Sequence, residues 1–152
     1  MTEPRATPEE NKAAARAEFE IWNTGDLDRL DDLVASDVVH HDPYDPHAAD
    51  GIEGLKRSIE LNRTAFPDMR VEVLDQVAEG DRVVTRWRAT MTHTGDLGGT
   101  PPSGEEVEMN GITIERFAAD GKVVESWRSM DTLGLMRQIG ALGDASRTAS
   151  SD

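Results

Sequence analysis

The sequence contains no cysteine. It therefore has no disulfide framework, no thiol nucleophile and no thiolate ligand for a metal. Basic residues are also scarce, because 16 lysines and arginines stand against 30 aspartates and glutamates and leave a formal net charge of −14. Such an acidic chain is repelled by phosphate backbones and anionic lipids. We expect neither nucleic acid nor a membrane among its partners.

Long apolar runs are absent as well, and none approaches the roughly 20 residues of a membrane-spanning helix. The first ten residues, MTEPRATPEE, lack the apolar core of a signal peptide. These features predict a soluble, cytoplasmic protein. A chain of 152 residues is typical of one domain. We predict that domain over residues 7–143, with loose tails at 1–6 and 144–152.

Hydrophobic periodicity predicts helices first, then a sheet, then a closing helix. The capping box Thr7-Pro8-Glu9-Glu10 opens the first helix, and Gly25 stands where a helix-ending glycine belongs. Asp26 is expected to cap a short second helix. Further helices are predicted over residues 55–66 and 132–142, and strands over 38–41, 70–78, 82–92, 107–117 and 122–128. This order favours an α+β fold with a mainly antiparallel sheet.

The apolar phase of the strand over residues 107–117 changes at Gly111. Val107 and Met109 have odd numbers, whereas Ile112 and Ile114 have even numbers. A glycine at such a change is typical of a β-bulge that bends the strand. A bent sheet wrapped around helices would enclose a cone-shaped interior, which could hold a pocket.

Asp131 lies between the last predicted strand and the last helix. Removing a proton from a carbon beside a carbonyl requires a base in a dry pocket. Trp127 shares the strand parity of Val123, so the face leading to Asp131 is predicted to line such a pocket. An aspartate in front of a helix is also a preferred N-cap. The residues alone favour the cap and leave catalysis open.

His93 follows the apolar face of the strand over residues 82–92 and precedes a Gly-rich loop. One hypothesis is that its imidazole transfers a proton or binds an enolate oxygen. The alternative is that it fixes the loop through backbone carbonyls. Arg88 has the opposite parity, so it either pairs with surface carboxylates or, if its face is inward, holds a substrate carboxylate or oxyanion.

Large apolar residues on predicted inward faces are expected to wall the pocket, where flat rings suit a planar polycyclic ligand. These predicted substrate-binding residues are Trp22, Phe66, Met109 and Trp127. Asn62 interrupts the apolar stripe of its helix. It is therefore predicted either to contact the ligand or to bond a neighbouring backbone group.

The segment His40-His41-Asp42, with Asp45 and His47 nearby, raises the question of a metal site. Adjacent histidines on a strand point to opposite faces, and the spacing matches no common metal motif. We therefore predict no metal and keep His41 as a residue at the pocket rim.

Several stretches together resemble the SnoaL-like polyketide cyclases, also called ester cyclases, over about residues 18–143. The resemblance begins at WNTGDLDRLDDLVASDVVHHDP and ends at DGKVVESWRSMDTLGLMRQIG. Its more specific pieces are Phe66-Pro67-Asp68, His93-Thr94-Gly95, Pro101-Pro102-Ser103-Gly104 and Trp127…Asp131…Gly134-Leu135. The sequence departs from the usual pattern at Met91, where many members have glycine. It also has Gly111-Ile112-Thr113-Ile114 where cyclases can carry a histidine, and we include Thr113 among the substrate-binding residues.

This resemblance implies a nuclear-transport-factor-2-like α+β cone with a deep apolar pocket, assembled as a homodimer or homotetramer. It implies an enzyme of polyketide and antibiotic biosynthesis that closes a ring of an aromatic intermediate by intramolecular aldol condensation, without cofactor. Asp131 occupies the family's acid/base position. Related proteins are thought to hydroxylate polyketides, so a cofactor-independent hydroxylase is the alternative. A non-catalytic protein that binds small hydrophobic ligands is a third hypothesis.

Overall fold

The computed structural model describes residues 5–45 and 48–142. His47 and most of the two predicted tails lie outside these ranges. The helices and strands of the described chain follow one another in the predicted order. Its elements are α1 (Pro8–Thr24), a 3-10 turn (Leu27–Arg29), α2 (Leu30–Leu33), β1 (Val34–His41), α3 (Gly51–Ala65), β2 (Arg70–Glu79), β3 (Arg82–Thr92), β4 (Glu106–Phe117), β5 (Val123–Met130) and α4 (Thr132–Gln138).

The five strands form one curved sheet in the order β1-β5-β4-β3-β2. Strands β2 to β5 pair antiparallel with their neighbours, and β1 pairs parallel with β5. Helices α1 and α3 pack on one side of this sheet, which we call the inner face. The predicted α+β fold with a mainly antiparallel sheet is confirmed. No helix in the described ranges is long and apolar enough to cross a membrane.

Local sequence signals explain where the helices begin and end. The Thr7 hydroxyl accepts from the Glu10 amide at 3.1 Å, and the Glu10 carboxylate accepts from the Thr7 amide at 3.2 Å. This is the predicted capping box, and Gly25 ends α1 in the left-handed conformation. Asp26 makes no capping hydrogen bond, so that expectation is wrong. Helix α4 is shorter than predicted because the chain turns at Gly140, whose φ is +76°.

The predicted bulge at Gly111 is also wrong. The register of β3 and β4 runs without a shift from Thr92↔Glu106 to Arg82↔Arg116. The apolar phase changes because Ile112 and Ile114 lie on the outer face, where Ile112 is 47% exposed. A Cβ at Gly111 would lie 2.2 Å from Cζ2 of Trp87. The glycine is therefore needed to seat the Trp87 indole against the inner face.

The irregularity in this hairpin lies instead at the start of β5. Val123 pairs with Phe117, whereas Glu125 pairs with Arg116, so Val124 is an extra residue. Such a bulge reverses which residues face inward. Val123 is buried inside, but after the bulge Ser126, Arg128 and Met130 face inward and Trp127 faces outward. The predicted inward orientation of Trp127 is therefore wrong.

The register aligns the inner-face residues in rows that change from apolar to polar. Ala89 and Met109 form one row, and the next contains Trp87, Gly111 and Met130. A polar row of Thr85, Thr113 and Arg128 follows, and then a row of Val83, Glu115, Ser126 and His40. The interior thus has an apolar end and a polar layer behind it.

Candidate functional site

An apolar cavity lies between the inner face of the sheet and the helices. Its empty space measures about 530 Å³, a figure that includes the open mouth. Rings and thioethers supply most of the wall, from Phe19, Trp22, Met69, Trp87, Met109 and Met130. Among the described lining residues, Asn62 and Arg128 supply the amide and the charge.

Three of the predicted substrate-binding residues line this cavity, namely Trp22, Asn62 and Met109. Asn62 also donates a hydrogen bond of 2.8 Å to the Ser58 carbonyl, one turn earlier in α3. The predicted bond to a backbone group is therefore confirmed, and contact of Asn62 with a ligand stays a prediction. The bond orients the amide at the cavity wall.

Phe66 and Thr113 are buried beside the cavity and are not among its lining residues. Phe66 is fully buried and packs against the His93 ring at a centroid distance of 5.3 Å. The Thr113 hydroxyl accepts a hydrogen bond of 3.0 Å from the Trp87 indole. In this structure Thr113 holds a wall residue in place, and Phe66 belongs to the core under the loop that follows β3.

His41, Arg88 and Trp127 lie on the outer face, so the prediction that they line the pocket is wrong. The His41 ring stacks on Trp127 at 5.3 Å, and its Nε2 lies 2.9 Å from a Glu125 carboxylate oxygen. Arg88 pairs with Glu72 at 3.2 Å. Arg88 faces outward because Trp87 faces inward, and Trp127 does so because of the β5 bulge.

His93 is fully buried and fixes the loop that follows β3. Its Nδ1 accepts from the Ser103 amide at 3.1 Å and lies 3.0 Å from the Ser103 hydroxyl. The loop is held through a serine, not through the backbone carbonyls that we expected. Because His93 does not line the cavity, the geometry favours the anchoring role over catalysis.

Asp131 caps α4, because its Oδ1 accepts a hydrogen bond of 2.8 Å from the Gly134 amide. The residue is exposed and does not line the cavity. Its neighbours in the chain, Met130 and Leu135, do line it. The backbone on both sides of Asp131 therefore reaches the cavity wall, while its carboxylate is bound at the start of α4. Capping is confirmed, and the role of Asp131 as a base stays a prediction.

Arg128 is a cavity residue that sequence reasoning missed. Its side chain is 11% exposed, and its Nη1 lies 3.6 Å from Asp42 Oδ2. The guanidinium lies 4.8 Å from the centre of the Trp22 ring, which is a cation–π geometry. Within the described part of the chain, no acceptor lies within hydrogen-bond distance of it. Arg128 is thus a largely buried cation at the cavity wall, and its N–H groups are available to hydrogen-bond a ligand.

Glu115 and Glu18 form a buried carboxyl pair beside Arg128. Burial raises the pKa of Glu115 well above its usual value of 4.5. The negative charge of Glu18 raises this pKa further, and so does a hydrogen bond between the two carboxyls. That bond exists only while one of the two carboxyls is protonated. The positive charge of Arg128 acts in the opposite direction and lowers the pKa of Glu115. In the same layer, burial and then Arg128 lower the pKa of His40 to about 4. Neutral Glu115 and neutral His40 are therefore favoured.

The raised pKa of Glu115 predicts how the substitution Glu115→Gln changes stability with pH. The unfolded carboxyl ionises above about pH 4.5, whereas the folded one resists ionisation. This group's favourable contribution to stability is therefore complete below that pH and is lost as pH rises toward the folded pKa. Relative to the wild type, Glu115→Gln should therefore gain stability as the pH rises above about 4.5. Urea unfolding midpoints across that range measure the gain.

Glu125→Gln is the matched control. The pKa of Glu125 is lowered, first by its hydrogen bond with His41. Removing that carboxylate should cost stability at high pH, which is the opposite trend. If both variants show the same trend, the buried position of Glu115 does not set the pH dependence.

The fold resembles several solved structures from Streptomyces. TsrD from Streptomyces laurentii superposes with a TM-score of 0.80 at 28% identity, over 90% of this chain and 99% of that one. AclR from Streptomyces galilaeus, a proposed hydroxylase, gives 0.78 at 30% identity over 94% and 88%. IdmH from Streptomyces antibioticus, a proposed polyketide cyclase, gives 0.72 at 32% identity over 89% and 99%.

Among curated proteins, no sequence matches this chain significantly. A sequence profile described as SnoaL-like polyketide cyclase matches residues 12–139, which is most of the chain. The profile covers α1, the whole sheet and α4, and so includes every wall of the cavity. This protein therefore belongs to the SnoaL-like polyketide cyclase family.

Proposed function

We propose that this protein closes a ring of a hydrophobic, polyketide-like substrate by intramolecular aldol condensation, without a cofactor. The observation that carries this proposal is the cavity itself, an apolar space walled by rings and thioethers with one guanidinium on its wall. Family membership supports this reaction class, and the apolar wall of the cavity supports the binding of a hydrophobic substrate.

The wall suits a flat aromatic ligand. Trp22 and Trp87 offer indole faces for stacking, and the thioethers of Met69, Met109 and Met130 adapt to ligand shape. Trp87 is held by Gly111 and Thr113, so one wall is rigid before a ligand arrives. Orienting two ends of one molecule in such a space supplies a large part of the catalysis of a ring closure.

Arg128 is the group we propose to stabilise the enolate. A carbonyl oxygen gains negative charge when the neighbouring carbon loses a proton, and a fixed cation near that oxygen stabilises the charge. The Arg128 guanidinium has unused donors at the cavity wall, and the Trp22 ring holds it in place. The low polarity of the surrounding wall strengthens the interaction.

Asp131 is the group we propose as the base. The cap of α4 uses Oδ1, so we assign proton transfer to Oδ2, the other oxygen of the same carboxylate. Met130 and Leu135 bring the backbone on both sides of Asp131 to the cavity wall. A substrate that projects from the mouth would place its activated carbon near this oxygen.

The substitution Asp131→Asn tests this role. Asparagine caps helices about as well as aspartate but cannot accept the proton, so the melting temperature should stay unchanged. Product formation should fall by about a hundredfold or more, which is typical of removing a general base. The assay follows conversion of an aromatic polyketide ester with an uncyclised 1,3-dicarbonyl arm by chromatography and mass spectrometry.

Asp26→Asn is the control, because Asp26 also precedes a helical turn but makes no capping bond. It should leave both properties unchanged. Full turnover by Asp131→Asn would show that Asp131 only caps α4. If the wild type binds the ester tightly and yields no product, the protein is a binding protein and not a cyclase.

A cofactor-independent hydroxylase is the second candidate function, favoured by the similarity to AclR, a proposed hydroxylase. The same cavity would bind an electron-rich substrate whose anion adds oxygen to form a hydroperoxide, and a two-electron reductant from solution would convert this to the hydroxyl product and water. The two reactions differ in a measurable way, because ring closure consumes no oxygen. Oxygen uptake that matches product formation would replace the cyclase assignment.

A further inference from the structure

A second group of side chains lies behind Arg128, away from the apolar cavity. His40 at the end of β1 and Asp42 and Asp45 in the following loop bring one nitrogen and two carboxylate oxygens within 4.8 Å of one another. His40 faces inward from β1, and Asp42 follows two residues later, just beyond the end of that strand. An open groove beside β1 is lined by both residues and connects them to solvent.

The unused atoms of this cluster point to a ligand. His40 is 9% exposed, and its Nε2 has no hydrogen-bond partner in the described ranges. The Asp42 carboxylate is similarly buried, and its Oδ2 accepts no hydrogen bond from the described residues. Arg128 Nη1 lies 3.6 Å from this oxygen, which is too far for a hydrogen bond. Buried polar atoms in native proteins normally have a hydrogen-bond partner, so a ligand between His40 Nε2 and Asp42 Oδ2 would satisfy both atoms.

Each member of the cluster is oriented by another part of the chain. His40 Nδ1 lies 2.9 Å from the Ser126 hydroxyl of β5. This contact fixes the ring so that the other nitrogen, Nε2, can coordinate an ion. Asp42 Oδ1 accepts from the Tyr44 amide at 3.0 Å, and Asp45 accepts from the Ser58 hydroxyl of α3. Metal-binding histidines and carboxylates are commonly held by such outer partners.

We propose, contrary to the expectation from the sequence, that His40, Asp42 and Asp45 form a binding site for a divalent transition-metal ion. One imidazole and two carboxylates suit zinc or manganese better than magnesium or calcium, and zinc is expected to bind more tightly than manganese. The ion has a structural role, because none of its three ligands is among the residues that line the apolar cavity. It ties the loop after β1 to the strand and, through Ser58, to α3. The site depends on no substrate and is independent of the proposed reaction.

Calorimetric titration of chelator-treated protein with Zn²⁺ tests the site. We expect saturable binding of a single ion and a higher melting temperature with Zn²⁺ than with a chelator. His40→Gln should weaken Zn²⁺ binding by more than about tenfold. The matched control His41→Gln should leave it unchanged, since His41 lies on the outer face. Co²⁺ as a spectroscopic substitute should show d–d absorption that disappears in the His40→Gln variant.

Asp45→Asn provides a second variant in case His40→Gln does not fold, because Asp45 lies in a loop. It should also weaken Zn²⁺ binding by more than about tenfold. The proposal is overturned if the folded wild type binds no Zn²⁺. It is equally overturned if Asp45→Asn binds as the wild type does, or if His41→Gln loses as much affinity as His40→Gln.

Discussion

Replacing Arg128 by methionine is expected to destabilise the protein by about 3–5 kcal/mol, as is typical when one partner of a buried ion pair is removed. Methionine keeps much of the side-chain volume against Trp22 but removes the buried cation. The Asp42 carboxylate, whose side chain is 3% exposed, then has no positive neighbour from β5. Urea unfolding at neutral pH with a chelator present measures the loss without interference from metal ions.

Two further variants separate charge from packing. Arg88→Met removes an exposed arginine that pairs with Glu72 on the outer face, and it should cost less than about 1 kcal/mol. Adding Asp42→Asn to Arg128→Met should recover a large part of the loss, because both partners of the pair are then uncharged. If Arg128→Met costs no more than Arg88→Met, Arg128 does not balance the interior acids.

Replacing Phe66 by alanine is expected to cost about 3–5 kcal/mol, the usual range for a large aromatic residue in a core. Phe66 is fully buried and packs against His93, which fixes the loop through Ser103. The Thr94 and Gly95 amides also donate to the Ala65 carbonyl at the end of α3. Loss of the ring should therefore loosen residues 94–105 as well, and limited proteolysis together with urea unfolding would show both effects.

Phe19→Ala is the comparison for this second substitution. Phe19 is a half-buried wall residue that contacts Trp87 at a ring distance of 6.5 Å. Its truncation enlarges an existing cavity and should cost clearly less stability than Phe66→Ala. Equal costs would mean that Phe66 is not the support of the loop.

The sequence predicted the helices and strands well because their signals are local. Capping at Thr7 and the alternation of apolar residues from Val83 to Met91 depend only on neighbouring residues. The α+β order follows from them. His93 was correctly placed on the inward face by that alternation. Whether an inward side chain meets the cavity or the core depends on the loop that packs over it, and sequence spacing does not contain this information.

The polar residues of the interior were missed for a different reason. Nothing in the residues around Val124 distinguishes a bulge from a regular strand, because the extra residue is defined by its pairing with β4. A regular strand without the extra residue would place Trp127 inside and Arg128 outside, so strand alternation alone assigns Arg128 no role. Glu115 did leave a signal, since it shares its parity with Val107, Met109 and Phe117. A single acid in an apolar row is a sign of a buried titratable group.

The extra residue at Val124 also determines which side chains face inward in the half of β5 that follows it. A relative that lacks one residue at this position would turn its aromatic side chain toward the ligand and its guanidinium toward water, with an almost identical sequence. Residue identity along this strand is therefore a poor guide to which side chains touch substrate. An insertion or deletion between Lys122 and Glu125 would therefore change which side chains of β5 line the pocket, without any substitution of the lining residues themselves.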